Sequence, residues 1–270
     1  MLAVVAFLAM CPLADEIDTA GADVALDVFV PAIAAVDDDA CAVAVALVVR
    51  ERATDSHRIA QKFGRLADYE AADVAYFAYE AIPARAAIAD RTRLRFFHAE
   101  LLYDLARFEE AAAHYLVVVD SDVTGTGEYT RVSAYNAVLS LENVVKGARQ
   151  LVVVDGRLQR HGRLPSAPPR PAVAPALIHA LRTYLDVVRL PSGPDPRAQW
   201  ERQRVQFTLG RVLFELGDPA CFAAWEPLFF DDSEAGVAVR GRAAACHALG
   251  APAADRAGRE KPLDRRRARP

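Results

Sequence analysis

Residues Leu66–Tyr76 read LADYEAADVAY, and residues Leu105–Tyr115 read LARFEEAAAHY. They are two versions of one phrase, thirty-nine positions apart. The match extends outward at the same offset: Ala60, Phe63, Tyr69, Ala72 and Tyr76 align with Ala99, Leu102, Phe108, Ala111 and Tyr115. Their spacing fits a helix, a tight turn and a second, antiparallel helix. Small Ala60 and Ala99 let the first helix approach its neighbour. Tyr69 and Phe108 open the second helix and fill the wedge by the turn. Ala72 and Ala111 sit at the closest crossing, where a larger side chain would push the helices apart. Tyr76 and Tyr115 reach toward the next hairpin.

The rest of the chain is punctuated in the same manner. An apolar run, Ala40–Arg52, continues into a helical pattern between Ser56 and Pro83, and Arg91–Val119 repeats that layout. SDVTGTGEY, Ser121–Tyr129, reads as a polar loop, and Thr130–Lys146 as a further helix with Gly147 as its cap. The segment Gly162–Pro175 carries Pro165, Pro168, Pro169, Pro171 and Pro175, which exclude a regular helix and mark a linker or surface loop. Helical patterns return at Ala176–Arg189, Gln199–Leu216, Cys221–Phe230 and Val237–Leu249. LVVVDG, Leu151–Gly156, is strand-like but too short to set the fold class. The expected organisation is an acidic and apolar helical segment over 1–54, helical hairpins over 55–161, the Pro-rich segment over 162–175, further helices over 176–250 and a basic tail over 251–270.

The small–large–aromatic–small–aromatic spacing resembles the tetratricopeptide repeat (TPR). The likeness covers about Ser56–Val119 well and Arg202–Phe230 tolerably, where Gly210, Leu213, Gly217, Cys221 and Trp225 fall in near-register. The family's terminal proline is approximated by Pro83 and its turn glycine is replaced by Ala67 and Ala106. The offset exceeds the family period, so extra residues are expected around Ala84–Asp90. The resemblance implies an all-α, TPR-like α-solenoid of antiparallel helical hairpins, an unrelated helical bundle being the alternative. It implies a non-catalytic scaffold that binds a peptide or partner protein on its concave face. Carried over position by position, the partner-binding residues are His57 and Gln61, then Arg93, Phe96, Glu100 and Tyr103, and in the late unit Arg211 and Phe214. The two-carboxylate clamp of some TPR modules is not expected, because His57, Gln61 and Phe97 stand where its Lys and Asn residues would be. The competing reading is a helical enzyme or small-molecule-binding domain whose site forms between hairpins.

Composition sets outer bounds. The chain has 270 residues, 53% apolar and 25% charged, with a net charge of −4. This is a folded composition with no overall pull toward nucleic acid or an anionic membrane. Charge is unevenly spread: no Lys or Arg precedes Arg50, and the last stretch is basic. Arg91, Arg93 and Arg95 are spaced around a helix and form no single stripe, so no specific nucleic-acid contact is expected. MLAVVAFLAMCPLA is too short to span a bilayer and lacks a basic leader, so it reads as a buried first helix or a wrongly assigned start, with a degenerate export or lipoprotein signal ending at Cys11 as the lesser alternative. The compartment, cytoplasmic or bacterial periplasm and envelope, stays open, and membrane association is expected only with such a signal.

No catalytic motif is present. Cys11, Cys41, Cys221 and Cys246 form no close pair; disulfides are open to them, but the default is four buried small side chains. The six histidines match no metal spacing, so neither metal nor cofactor is expected. His98 and Glu100 form H-A-E, one fragment of a zinc deaminase signature, without its P-C-x-x-C half, and read as helix-surface residues. Glu109 and Glu110 open a helix, where its dipole favours carboxylates.

Overall fold

Alanine has the best intrinsic helix propensity, and the apolar residues recur at the helical period. Helices therefore supply nearly all regular structure in the computed structural model, and the chain is all-α. It describes residues 11–20, 24–84, 90–122, 124–146, 152–159, 171–188, 195–230, 232 and 234–250. The apolar run up to Met10, the extra residues at 85–89, Gly147, most of the Pro-rich segment and the basic tail lie outside the described residues. Two compact units divide the chain, Met1–Val173 and Ala174–Pro270. Among the described residues no helix is long and apolar enough to cross a membrane.

In the first unit, α1 (Pro12–Thr19) is followed by a 3-10 turn at Leu26–Phe29 and α2 (Val30–Ala34). The long α3 (Asp39–Phe63) starts at Asp38, whose carboxylate accepts a hydrogen bond from Cys41 N at 2.7 Å. It runs through residue 54 without a break, so the segment before residue 55 and the first hairpin share one body. α1 packs on α3, and a Cys11–Cys41 disulfide joins them with Cα atoms 4.9 Å apart. Together with Cys221–Cys246 in the second unit, it replaces the expected four unpaired cysteines. Partners 30 and 25 residues apart leave no local spacing to read.

Antiparallel pairs follow: α3 with α4 (Leu66–Glu80), then α5 (Arg91–Asp104) with α6 (Phe108–Asp120), and α7 (Thr130–Val145) against α6. The repeated positions fill the contacts. Ala60, Ala72, Ala99 and Ala111 are fully buried, and Tyr69, Phe108, Tyr76 and Tyr115 nearly so. One aligned pair departs from expectation, because Phe63 is 46% exposed whereas Leu102 is 1% exposed. The turn explains it. α3 ends at Phe63 because Gly64 takes a left-handed conformation, φ +68°, whereas in the second hairpin the left-handed residue is Ala106, φ +55°. α4 then begins at Leu66, three aligned positions earlier than α6, so Tyr69 lies inside its helix while Phe108 opens one.

The strand-like run forms a small hairpin, β1 (Val152–Val154) with β2 (Arg157–Gln159). Asp155 and Gly156 between them both have positive φ, 52° and 72°, the geometry of the tight turns that match strand twist. The hairpin docks on the α3–α4 turn: Leu66 N donates to Gly156 O at 2.9 Å and Leu158 N to Gly64 O at 2.7 Å. These bonds satisfy backbone groups that a helix end leaves open.

The second unit contains α8 (Ala174–Val187), α9 (Pro196–Glu215), the short α10 (Cys221–Trp225) and α11 (Glu234–Gly250). Gly210 lies where the fully buried Trp225 crosses α9; a Cβ there would come within 2.2 Å of the indole. Trp225 Nε1 donates to Phe207 O at 3.1 Å, so the ring is both packed and satisfied. The Cys221–Cys246 bridge ties α10 to α11.

Candidate functional site

The densest buried chemistry sits where α4, α5 and α6 meet. Asp73 and Glu80 are seven residues apart on α4, two helical turns, which places them on one face. Between them Tyr76, a repeated aromatic, stacks on the His98 ring of α5 with centroids 5.3 Å apart and planes 17° apart. His98 is thus held flat between two carboxylates. Its Nδ1 lies 2.9 Å from Glu80 Oε1 and its Nε2 lies 2.8 Å from Asp73 Oδ1. The opposite oxygen of Asp73 accepts from Arg107, whose guanidinium also bonds Glu110 in the first turn of α6. One turn after Glu110, His114 meets His98 edge-on with ring centroids 4.5 Å apart. Its Nδ1 is 3.1 Å from Glu80 Oε1 but out of line for a hydrogen bond, and is buried with no other partner. Arg95 Nε approaches the same carboxylate oxygen to 3.8 Å.

The charges in this cluster hold one another. Burial alone would raise the Glu80 carboxyl, but His114 and His98 more than offset it and hold it at about 2. Asp73 is likewise held low against its burial by His98 and Arg107. Burial disfavours a charged His98, yet its two carboxylate partners raise its pKa above the usual histidine value. Both ring nitrogens of His98 are engaged by carboxylates, which leaves neither free to accept a proton from a substrate. All four cysteines are bridged, so no thiolate is available as a nucleophile. What the cluster offers is a donor set: one atom each from Glu80, His98 and His114, all within 4.8 Å of one another. His98 is no helix-surface residue, contrary to the expectation for H-A-E.

A chain of polar contacts continues to either side. Tyr76 Oη is hydrogen-bonded at 2.9 Å with Nδ1 of His57 on α3, and Gln61 reaches the other ring nitrogen at 3.2 Å. Burial, reinforced by the nearby charge of His98, depresses His57 to about 4. On α5, Glu100 accepts from Tyr115 and from Asn136 Nδ2 of α7, the latter at 2.8 Å. Asn143 Nδ2 donates to Tyr103 at 3.0 Å.

The sequence-derived partner residues are therefore dispersed. His57 is 7% exposed and faces Tyr76, so it presents nothing to a groove. Glu100 and Tyr103 are engaged by α7. Phe96 packs on Tyr129 at 4.7 Å and on Tyr115, half-buried. Gln61 is exposed, and Arg93 is half-exposed beside Asp90 at 3.1 Å. Arg91 donates to Ile82 O and Pro83 O, so its guanidinium serves the fold. In the second unit Phe214 leans on Trp225 and Arg211 is half-buried. A separate cleft of about 270 Å³ opens there between α9 and α11, lined by Trp200, Arg204, Phe207 and Glu234 among others.

Sequence reasoning missed Asp73, Glu80, His114 and Arg107 as members of a site. A signal was present in the alignment of the copies. Asp73, Glu80, His98 and His114 pair with Ala112, Val119, Ile59 and Ala75, so each polar member replaces an apolar residue. The residues that differ between copies do carry the chemistry, but three of these four lie on the second helices of the hairpins. No protein-family model, curated protein or solved structure matches the chain.

Proposed function

We propose that the protein is a TPR-like helical-repeat scaffold that binds a peptide segment of a partner protein. The observation that carries this reading is the exposed end of the first hairpin. Phe63, whose aligned partner Leu102 is buried, stands 46% exposed beside exposed Gln61. Lys62 and Arg65 flank its ring, with their cationic groups 5.1 and 5.3 Å from the centroid. An aromatic framed by cations is the kind of surface that supplies most of the energy in peptide recognition. Arg93 remains the other reachable member of the expected set. The buried positions shared by both hairpins act as scaffold, which leaves recognition to the positions that differ. The two disulfides fit an oxidising compartment, in keeping with an envelope role.

The test is to pan a displayed random-peptide library on the intact protein. A consensus peptide should emerge, and its binding should fall at least tenfold in a Phe63→Ser, Gln61→Ala double variant with an unchanged circular-dichroism spectrum. Failure to enrich any consensus, or undiminished binding by the variant, would defeat the reading.

A further inference from the structure

We propose that Glu80, His98 and His114 form a binding site for a divalent transition-metal cation of the zinc class, with Asp73 as the outer carboxylate that orients His98. This goes beyond the peptide-binding reading and does not depend on it.

Four features converge. The donors are two imidazole nitrogens and one carboxylate oxygen, a set that suits borderline d-block cations, whereas calcium and magnesium take oxygen cages. The three donor atoms lie within 4.8 Å of one another, and metal–ligand bonds of about 2.0–2.2 Å put neighbouring tetrahedral donors roughly 3.3–3.6 Å apart. Glu80 Oε1 lies 2.9 Å from His98 Nδ1 and 3.1 Å from His114 Nδ1, so a small outward movement of three side chains admits an ion. The outer layer is built as metal sites require. His98 Nε2 faces Asp73 Oδ1 at 2.8 Å, which keeps the proton on Nε2 and leaves Nδ1 to the ion once the proton shared with Glu80 is displaced, and Arg107 anchors Asp73 from behind. Finally, His114 Nδ1 is buried without a hydrogen bond, a cost that a metal bond removes.

The carboxylates around the site outnumber the guanidiniums by one. Asp73, Glu80 and Glu110 face the site against Arg107 and Arg95. The entering cation displaces the proton held between His98 Nδ1 and Glu80, and that proton leaves to solvent. Three protein donors leave a fourth position for water or a partner's ligand. Bridged cysteines mean that sulfur does not compete.

The experiment uses the intact chain with disulfides unreduced, stripped with EDTA. Zn²⁺ titrated calorimetrically should bind with one equivalent, and Co²⁺ should give the visible absorption of a tetrahedral site. His114→Ala and Glu80→Gln should each weaken Zn²⁺ binding more than tenfold, and Asp73→Asn about 10–100-fold. His179→Ala, in the second unit, should bind as wild type. Melting in EDTA identifies any variant that has lost its fold. Independently of any variant, Zn²⁺ added to ¹⁵N-histidine-labelled wild type should shift the Nδ1 resonances of two of the six histidines, His98 and His114. Absence of one-equivalent binding, undiminished binding by folded His114→Ala or Glu80→Gln, or a shift in a different pair would overturn the proposal.

Discussion

The two hairpins of the first unit share their packing positions and differ almost everywhere else. Ala60 and Ala99, Ala72 and Ala111, Tyr69 and Phe108, Tyr76 and Tyr115 are buried alike. Their surroundings diverge. Tyr76 presents its hydroxyl to a neutral histidine and its face to His98, whereas Tyr115 donates to a carboxylate, Glu100. Phe63 ends α3 in solvent, whereas Leu102 is enclosed two residues before the end of α5. Packing thus constrains a few positions to small or aromatic side chains. The others are free to acquire polar partners, and they do so where α4, α5 and α6 converge.

The largest expected contrast is at Leu102 and Phe63. Leu102→Ala opens a cavity in a filled core and should destabilise by about 2–5 kcal/mol. Phe63→Ala removes a larger side chain from a half-exposed position and should cost less than about 1 kcal/mol. Urea unfolding of both variants measures the difference. Equal losses would mean that the two aligned residues are packed alike and that the displaced turn has no energetic consequence.

The next contrast is electrostatic and belongs to the first hairpin. Burial, with the charge of His98 across Tyr76, lowers His57 to about 4 from its ordinary 6.5. The folded state therefore keeps His57 neutral while the unfolded chain takes up a proton. The associated stability is fully present above pH 6.5 and is lost as pH falls from 6.5 to 4, by about 3 kcal/mol in all. His98 shifts upward, so its own dependence lies above pH 6.5, outside this window. Glu80 and Asp73, held low, lose their contribution only below the ordinary carboxylate range. Unfolding measured in EDTA between pH 7 and 4.5 should show the decline in wild type and a flatter profile in His57→Gln. Parallel profiles would relocate the titration elsewhere.

These contrasts explain what could be read from the sequence. Helix, turn and helix followed from Ala and aromatic residues recurring at fixed offsets, because packing at a crossing tolerates few side chains. Phe63 was misplaced because its fate depends on where Gly64 turns the backbone, and alignment to a copy with Ala106 conceals a shift of the turn. The Glu80, His98 and His114 set was hidden for another reason. Its members come from three helices, at separations of 18 and 16 residues, and metal motifs are recognisable in sequence only when ligands sit on one helix or loop. The disulfides escaped for the same reason. Register alone puts His57 and Glu100 on a groove, whereas partners from other helices, Tyr76 and Asn136, engage their side chains.

The smallest expected effect tests the turns directly. Gly64 and Ala106 both hold φ near +60°, a region where a Cβ costs on the order of 1 kcal/mol. A Cβ at Gly64 would meet nothing within 4 Å, so only its backbone conformation resists substitution there. Gly64→Ala should therefore destabilise by about 1 kcal/mol. Ala106→Gly should stabilise by a similar amount, because the change in unfolded-state freedom offsets part of the strain in both substitutions alike. The signs must be opposite if both hairpins turn through a left-handed residue at these positions. Two destabilising substitutions would show that Ala106 contributes contacts that outweigh its strain, and that the second turn is more than a displaced copy of the first.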